Sequence, residues 1–177
     1  MRLITKALCC LILMAMVFSF ASAEEEGVFV PTYNTFMNRL CEHAPDGYGD
    51  VIRVGLMKDG VWKEGYMSSY DLIGKNIFQI VRSIENGYVY SFEVTISQEA
   101  YETHRLAYDQ MITAVMKAIR SDYTDDDVDS MKETLLMTTI TTTPVDYMYQ
   151  STNDGVYRYG FLKRYGDYTF KIEFALQ

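Results

Sequence analysis

The stretch YVYSFEVTI, residues 88–96, decides the fold. Tyr88, Tyr90, Phe92, Val94 and Ile96 fall on one side of an extended chain. Val89, Ser91, Glu93 and Thr95 fall on the other. Successive strand side chains point to opposite faces, so this pattern marks a sheet with one covered face and one wet face. Asn86-Gly87 just before it is a two-residue hairpin signal, and residues 77–84 supply the incoming strand. The same alternation returns at the end of the chain in Tyr168, Phe170, Ile172, Phe174 and Leu176.

Working outward, Ser97 is placed to cap a long helix reaching about Arg120. Tyr101, Tyr108, Met111, Ile112, Val115 and Ile119 form its apolar stripe. Thr124 begins a second helix with Asp127 three residues on, a box-like cap, and Val128, Met131 and Leu135 mark its inward face. Residues 138–143 are almost all β-branched and read as strand, with Pro144 interrupting at an edge or bulge. Val145, Tyr147 and Tyr149 continue the alternation, with the tyrosines inward. Asn153-Asp154-Gly155 turns into Tyr157, Tyr159 and Phe161, and Tyr165-Gly166-Asp167 turns into the last strand.

Upstream, Thr32 caps a helix to about His43, ended by Ala44-Pro45-Asp46-Gly47. Ile52, Val54 and Leu56 read as a strand, Asp59-Gly60 as its turn, residues 61–68 as its return and residues 69–76 as a loop. The expected architecture is α+β, in the order α-ββββ-αα-βββ. It is a largely antiparallel sheet of six or seven strands with helices on one face. A helix followed by antiparallel strands occurs twice, without a residue-level repeat.

The first 23 residues read as an export signal. Arg2 and Lys6 form a basic head, residues 7–20 an apolar core, and Ala21-Ser22-Ala23 a small-residue cleavage box. The apolar core falls short of the about 20 residues that span a bilayer. Cys9 and Cys10 lie inside it, not after a small-residue box, and read as filler. The expectation is a cleaved leader, residues 1–23, and one globular domain, residues 24–177, secreted or held in the periplasm or cell envelope. Cleavage keeps all 24 acidic residues and 14 of the 16 basic ones, so the formal charge falls from −8 to −10. Such a chain is repelled by nucleic acid and anionic lipid. Its closest basic pair, Lys163-Arg164, falls at an expected turn. The new N-terminus, residues 24–28, is expected to be disordered.

Cys41 alone survives cleavage, so no internal disulfide forms. It shares a helical face with Tyr33, Phe36, Met37, Leu40 and Ala44 and is expected in the core. His43 lies two positions away, pointing about 200° around the helix, and cannot pair with the thiol. A Cys41–His104 dyad would have to form across the fold. The acidic run Asp122, Asp125, Asp126, Asp127 and Asp129 resembles a calcium loop in part. However, Asp127 stands where that loop needs glycine, and Asp129 stands where it carries an apolar residue. Acids at a helix N-terminus account for the run. Glu93 and Glu173 lie on polar strand faces and would pair as glycosidase carboxylates if their strands adjoin; Lys171 argues for a solubilising role. There is no Gly-x-Ser-x-Gly elbow and no phosphate-cradling glycine loop.

The reading is therefore an exported, non-enzymatic binding module for a protein, peptide or small molecule, without cofactor or metal. The alternative is a small secreted hydrolase acting on an envelope or extracellular polymer. Of the 15 tyrosines, Tyr70 and Tyr165 fall in expected loops and are the candidate contact residues.

Overall fold

The computed structural model describes residues 30–48, 67–71, 79–85 and 87–175, with backbone alone for residues 67–71 and 79–85. The expected leader, the strands around Ile52 and the Asp59-Gly60 turn lie outside the described residues. So do residues 24–28 and Leu176.

The chain runs α1 (Tyr33–His43), β1 (Met67–Asp71), β2 (Gln79–Glu85), β3 (Tyr88–Ser97), α2 (Gln98–Ile119), α3 (Asp125–Thr134), α4 (Met137–Thr142), β4 (Tyr147–Asn153), β5 (Tyr157–Arg164) and β6 (Asp167–Phe174). The class is α+β with an antiparallel sheet, as expected. The described strands lie in the order β1-β2-β3-β6-β5-β4. Two meanders, β1-β2-β3 and β4-β5-β6, meet where β3 pairs antiparallel with β6. None of the described helices is long and apolar enough to cross a membrane.

The core lies between the helices and one face of the sheet. From β3 come Phe92, Val94 and Ile96, from β6 Tyr168, Phe170 and Ile172, and from β5 Tyr157, Tyr159 and Phe161. Against them pack Tyr108, Met111, Ile112, Val115 and Ile119 of α2, and Phe36, Met37 and Leu40 of α1. The Phe36 and Phe92 rings, 5.0 Å apart, join α1 to the sheet. The buried Tyr108 hydroxyl donates to the carbonyls of Val94 (3.0 Å) and Tyr168 (3.1 Å), so α2 is tied to two strands as well as packed on them.

The caps are those the sequence expects. Ser97 accepts from the Ala100 N–H at 3.2 Å and starts α2. Thr124 and Asp127 exchange both bonds of a capping box at the start of α3. Helix α2 bends at His104, whose φ of −119° leaves the helical region.

Several expectations are corrected. The register of β3 slips, with Ser83 opposite Ser91 and Ile84 opposite Val89, so Tyr90 is an extra residue on β3. A bulge of this kind turns the following side chains to the other face. Val89 is therefore buried, whereas Tyr88 is 40% exposed and Tyr90 half-buried. Of residues 138–143, expected as strand, 138–142 belong to the helix α4 and Thr143 caps it. Their threonine hydroxyls bond back along the chain, Thr141 to the Met137 carbonyl at 3.0 Å and Thr142 to the Thr138 carbonyl at 2.8 Å. This satisfies β-branched residues within a helix. Ser69–Asp71, expected as loop, belongs to β1. Lys163 and Arg164 end β5, short of the turn, and the Lys163 ammonium is buried, donating to the Thr143 carbonyl at 2.8 Å. Cys41 is half-buried at the margin of the core rather than inside it.

Candidate functional site

The face of the sheet away from the core is built by the alternate residues of each strand. Across β4 and β5 it carries Tyr147 opposite Arg164, Tyr149 opposite Leu162, Ser151 opposite Gly160 and Asn153 opposite Arg158. Tyr147 is 64% exposed and Tyr149 52%. The sequence reading placed both tyrosines inward. The inward residues are instead Met148, Gln150 and Thr152, only half-buried because β4 is the last strand of the described sheet. A Cβ on Gly160 would lie 3.1 Å from the Tyr149 ring and hydroxyl, so the missing side chain lets that ring lie over the strand.

The same patch extends to the β5–β6 turn. Tyr165 has a φ of 49° and Gly166 a φ of 89°, positive at both central positions as a type I′ hairpin turn requires. Asn-Gly or Asp-Gly is the usual pair there, since the left-handed region costs other residues about 1 kcal/mol. Tyr165 bears this strain with its side chain 83% exposed and the Arg164 guanidinium 5.3 Å over its ring. Tyr165 thus sits in the turn where the sequence placed it. Tyr70 lies within β1, opposite Ile80, and its side chain lies outside the described residues.

The other end of the hairpin is held from below by Asp154. One carboxylate oxygen accepts from the backbone N–H groups of Val156 (2.9 Å) and Tyr157 (2.7 Å). The other accepts from the hydroxyls of Tyr123 and Tyr159 (both 2.8 Å) and from the Arg120 guanidinium (2.5 Å). Burial on its own would raise this carboxyl. The bonds donated to its charged form outweigh burial and hold it below its ordinary value of 3.8. Burial pushes the Tyr123 hydroxyl up to about 12 and the Tyr159 hydroxyl well above its ordinary range. The end of α2 is thereby fastened to the β4–β5 turn. The Tyr157 hydroxyl is buried without a hydrogen-bond partner among the described residues.

The two candidate carboxylates do meet. Strands β3 and β6 are neighbours, and the Lys171 ammonium lies 2.9 Å from Glu93 and 2.6 Å from Glu173. Partial burial works against the ammonium charge, but the bonds to Glu173 and Glu93 prevail and raise Lys171 above its ordinary value. An acid–base pair needs open space between its carboxylates for a glycosidic bond. Here an ammonium lies between them.

Two open grooves lie on the helical side, away from these carboxylates. One of about 670 Å³ runs between α2 and α3–α4, past Arg105, Leu106, Asp109, Lys132 and Leu136. The second, about 510 Å³, lies between the end of α1 and α2 and receives both His43 and His104, without Cys41, Glu93 or Glu173. In the acidic run, Asp122 is bound by Arg120, Asp125 by Lys117, and Asp127 by the Thr124 cap. No cluster of three or more His, Cys, Asp or Glu residues placed to hold a metal ion occurs among the described residues.

Sequence reading missed Arg158, Arg164 and the outward tyrosines of β4. Their signal was present: residues 147–153 carry no charge in an acidic chain, whereas the next strand carries three basic residues. No family model matches this chain, and no curated protein or solved structure matches it.

Proposed function

We propose that this protein is an exported interaction module that binds a protein or peptide partner on the open face of its sheet, at the β4–β5 edge. The observation that carries the reading is the cluster of Tyr147, Tyr149 and Tyr165, exposed at 64%, 52% and 83% beside Arg164. Tyrosine and arginine dominate binding hot spots, because each brings a large rigid contact surface with a polar tip. In this reading the leader, residues 1–23, is removed on export. The helices cover one face of a six- or seven-stranded sheet and leave the other to the partner. The ion pairs of Lys171 with both Glu93 and Glu173 support this reading over the hydrolase alternative.

Affinity capture from the extracellular and envelope fractions of the source cell, with the wild-type protein and a Tyr147→Ser/Tyr149→Ser variant as baits, tests this. The expected result is a co-eluting partner that the variant fails to retain. Recovery of the same partner by both baits, or turnover of an envelope polymer with no partner recovered, would overturn it.

Tyr165 supplies a second test with two readouts. Tyr165→Asn places a residue that tolerates positive φ in the turn and is expected to stabilise the fold by about 0.5–1 kcal/mol. It should also weaken partner retention. A urea titration that shows Tyr165→Asn to be less stable than wild type would contradict the strain assigned to this turn.

A further inference from the structure

We infer that the free edge of β4 accepts an extended, acidic peptide segment of the partner as an added strand, an inference that rests on the sheet-face reading above. The phase of the hairpin shows which groups are free. The Asp154 N–H donates to the Tyr157 carbonyl, and the Tyr165 N–H donates to the Asp146 carbonyl. Hydrogen-bonded pairs alternate along an antiparallel ladder, so Met148, Gln150 and Thr152 bond to β5. Tyr147, Tyr149, Ser151 and Asn153 therefore turn their N–H and C=O groups away from the sheet. No described strand pairs with that side. These same residues project their side chains onto the open face.

Exposed edges are normally guarded by charge, proline or a bulge, because a bare edge recruits other strands. β4 has none of these. Its sequence YMYQSTN is uncharged, and its pairing with β5 runs without a register shift. Main-chain bonds of this kind give affinity without side-chain specificity, which must come from alternate positions on the added strand. Arg158 and Arg164 supply it. They are exposed on the open face, with Asn153 and Tyr147 of β4 on one side and Glu173 and Asp167 of β6 on the other, and neither comes within ion-pair distance of a carboxylate among the described residues. Guanidinium forks match carboxylates in geometry as well as charge. An added strand with acidic side chains on the open face would meet both forks, with Tyr147 and Tyr149 packed between them.

A second copy of this chain fits the edge less well. Two β4 strands paired antiparallel about Gln150 would set Asp146 against Asp154 at both ends. Like charges directly opposite are destabilising.

The test uses the protein with two fluorescein-labelled probes, an alternating Glu/Val peptide and its Lys/Val counterpart, read by fluorescence anisotropy. The Glu/Val peptide should bind at least about tenfold tighter than the Lys/Val peptide. Arg158→Ala/Arg164→Ala should raise its Kd by about tenfold or more and flatten its salt dependence. Ser151→Pro removes one free edge N–H without touching a bond to β5 and should abolish binding. If Ser151→Pro fails to fold, Asn153→Pro is read in its place. Absence of Glu/Val binding, equal binding of Lys/Val, unchanged binding to the folded proline variant, or a sedimenting dimer lost on Ser151→Pro would each overturn the inference. Should the peptides fail while Tyr147→Ser/Tyr149→Ser still releases the captured partner, the acidic strand falls and the sheet-face reading stands. Failure of both removes both.

Discussion

Phe92→Ala is expected to cost about 4 kcal/mol in a urea or guanidinium unfolding titration, while Tyr88→Ala costs under about 1 kcal/mol. Simple alternation puts both residues on the covered face. The bulge at Tyr90 separates them, leaving Phe92 fully buried and Tyr88 40% exposed beside the start of α1. Phe92 faces the Phe36 ring at 5.0 Å, so truncation removes its own burial and one wall of the α1 contact. The cavity is closed in by Val94, Ile172 and helix residues that are themselves fully buried, and it has little room to collapse. Equal losses at the two positions would show that β3 runs without its bulge.

Asp154→Ala should destabilise by about 3 kcal/mol, seen as a melting temperature lower by about 10 °C. Alanine removes the acceptor of two backbone N–H groups, two tyrosine hydroxyls and one guanidinium. Tyr159 is fully buried, so its hydroxyl is left without the carboxylate that compensates its loss of water. The effect has a defined pH sign. The folded carboxyl titrates below the ordinary 3.8, so its contribution is complete above that value and is lost as pH falls through the lowered one. Wild type and Asp154→Ala should therefore converge in stability on acidification below about pH 4. A constant difference between them from pH 7 to pH 2 would sink the ionic part of this account. Tyr159→Phe, which keeps the ring and removes one donor, should cost far less, about 1 kcal/mol.

Much of this fold was legible in local chemistry. The capping box at Thr124 and Asp127, the Ser97 cap and the α2 stripe each depend on residues within a few positions of one another, and each appears where the sequence put it. The outcomes set by neighbours in space were not legible. The β3 bulge is a relation between two strands, and nothing within residues 88–96 announces it. Threonine-rich residues 138–143 carry strand propensity, but their hydroxyls find carbonyls one turn back, and the left-handed Leu136 lets a new helix start after α3. For β4, the sequence shows the alternation but not its phase. The aromatic set faces the open side, because the inward positions at a sheet edge need less apolar bulk and are filled by Met148, Gln150 and Thr152. That reversal moved the candidate site. Tyr165 was found from its turn, whereas Tyr147 and Tyr149 were hidden by the expectation that a strand tyrosine belongs in the core. In the sequence, Asp154 shows only the character of a turn residue. Its five donors come from Arg120 and Tyr123 of the α2–α3 connection, Val156 of the β4–β5 turn, and Tyr157 and Tyr159 of β5, which only the tertiary fold brings together.

The exposed edge is best tested by amide hydrogen exchange followed by NMR along β4 in the unliganded protein. The N–H groups of Met148, Gln150 and Thr152 should exchange slowly, and those of Tyr149 and Ser151 near the rate of a solvated chain. Protection of Tyr149 and Ser151 equal to that of their neighbours would mean that another strand already lies there, and the proposed binding edge would not exist.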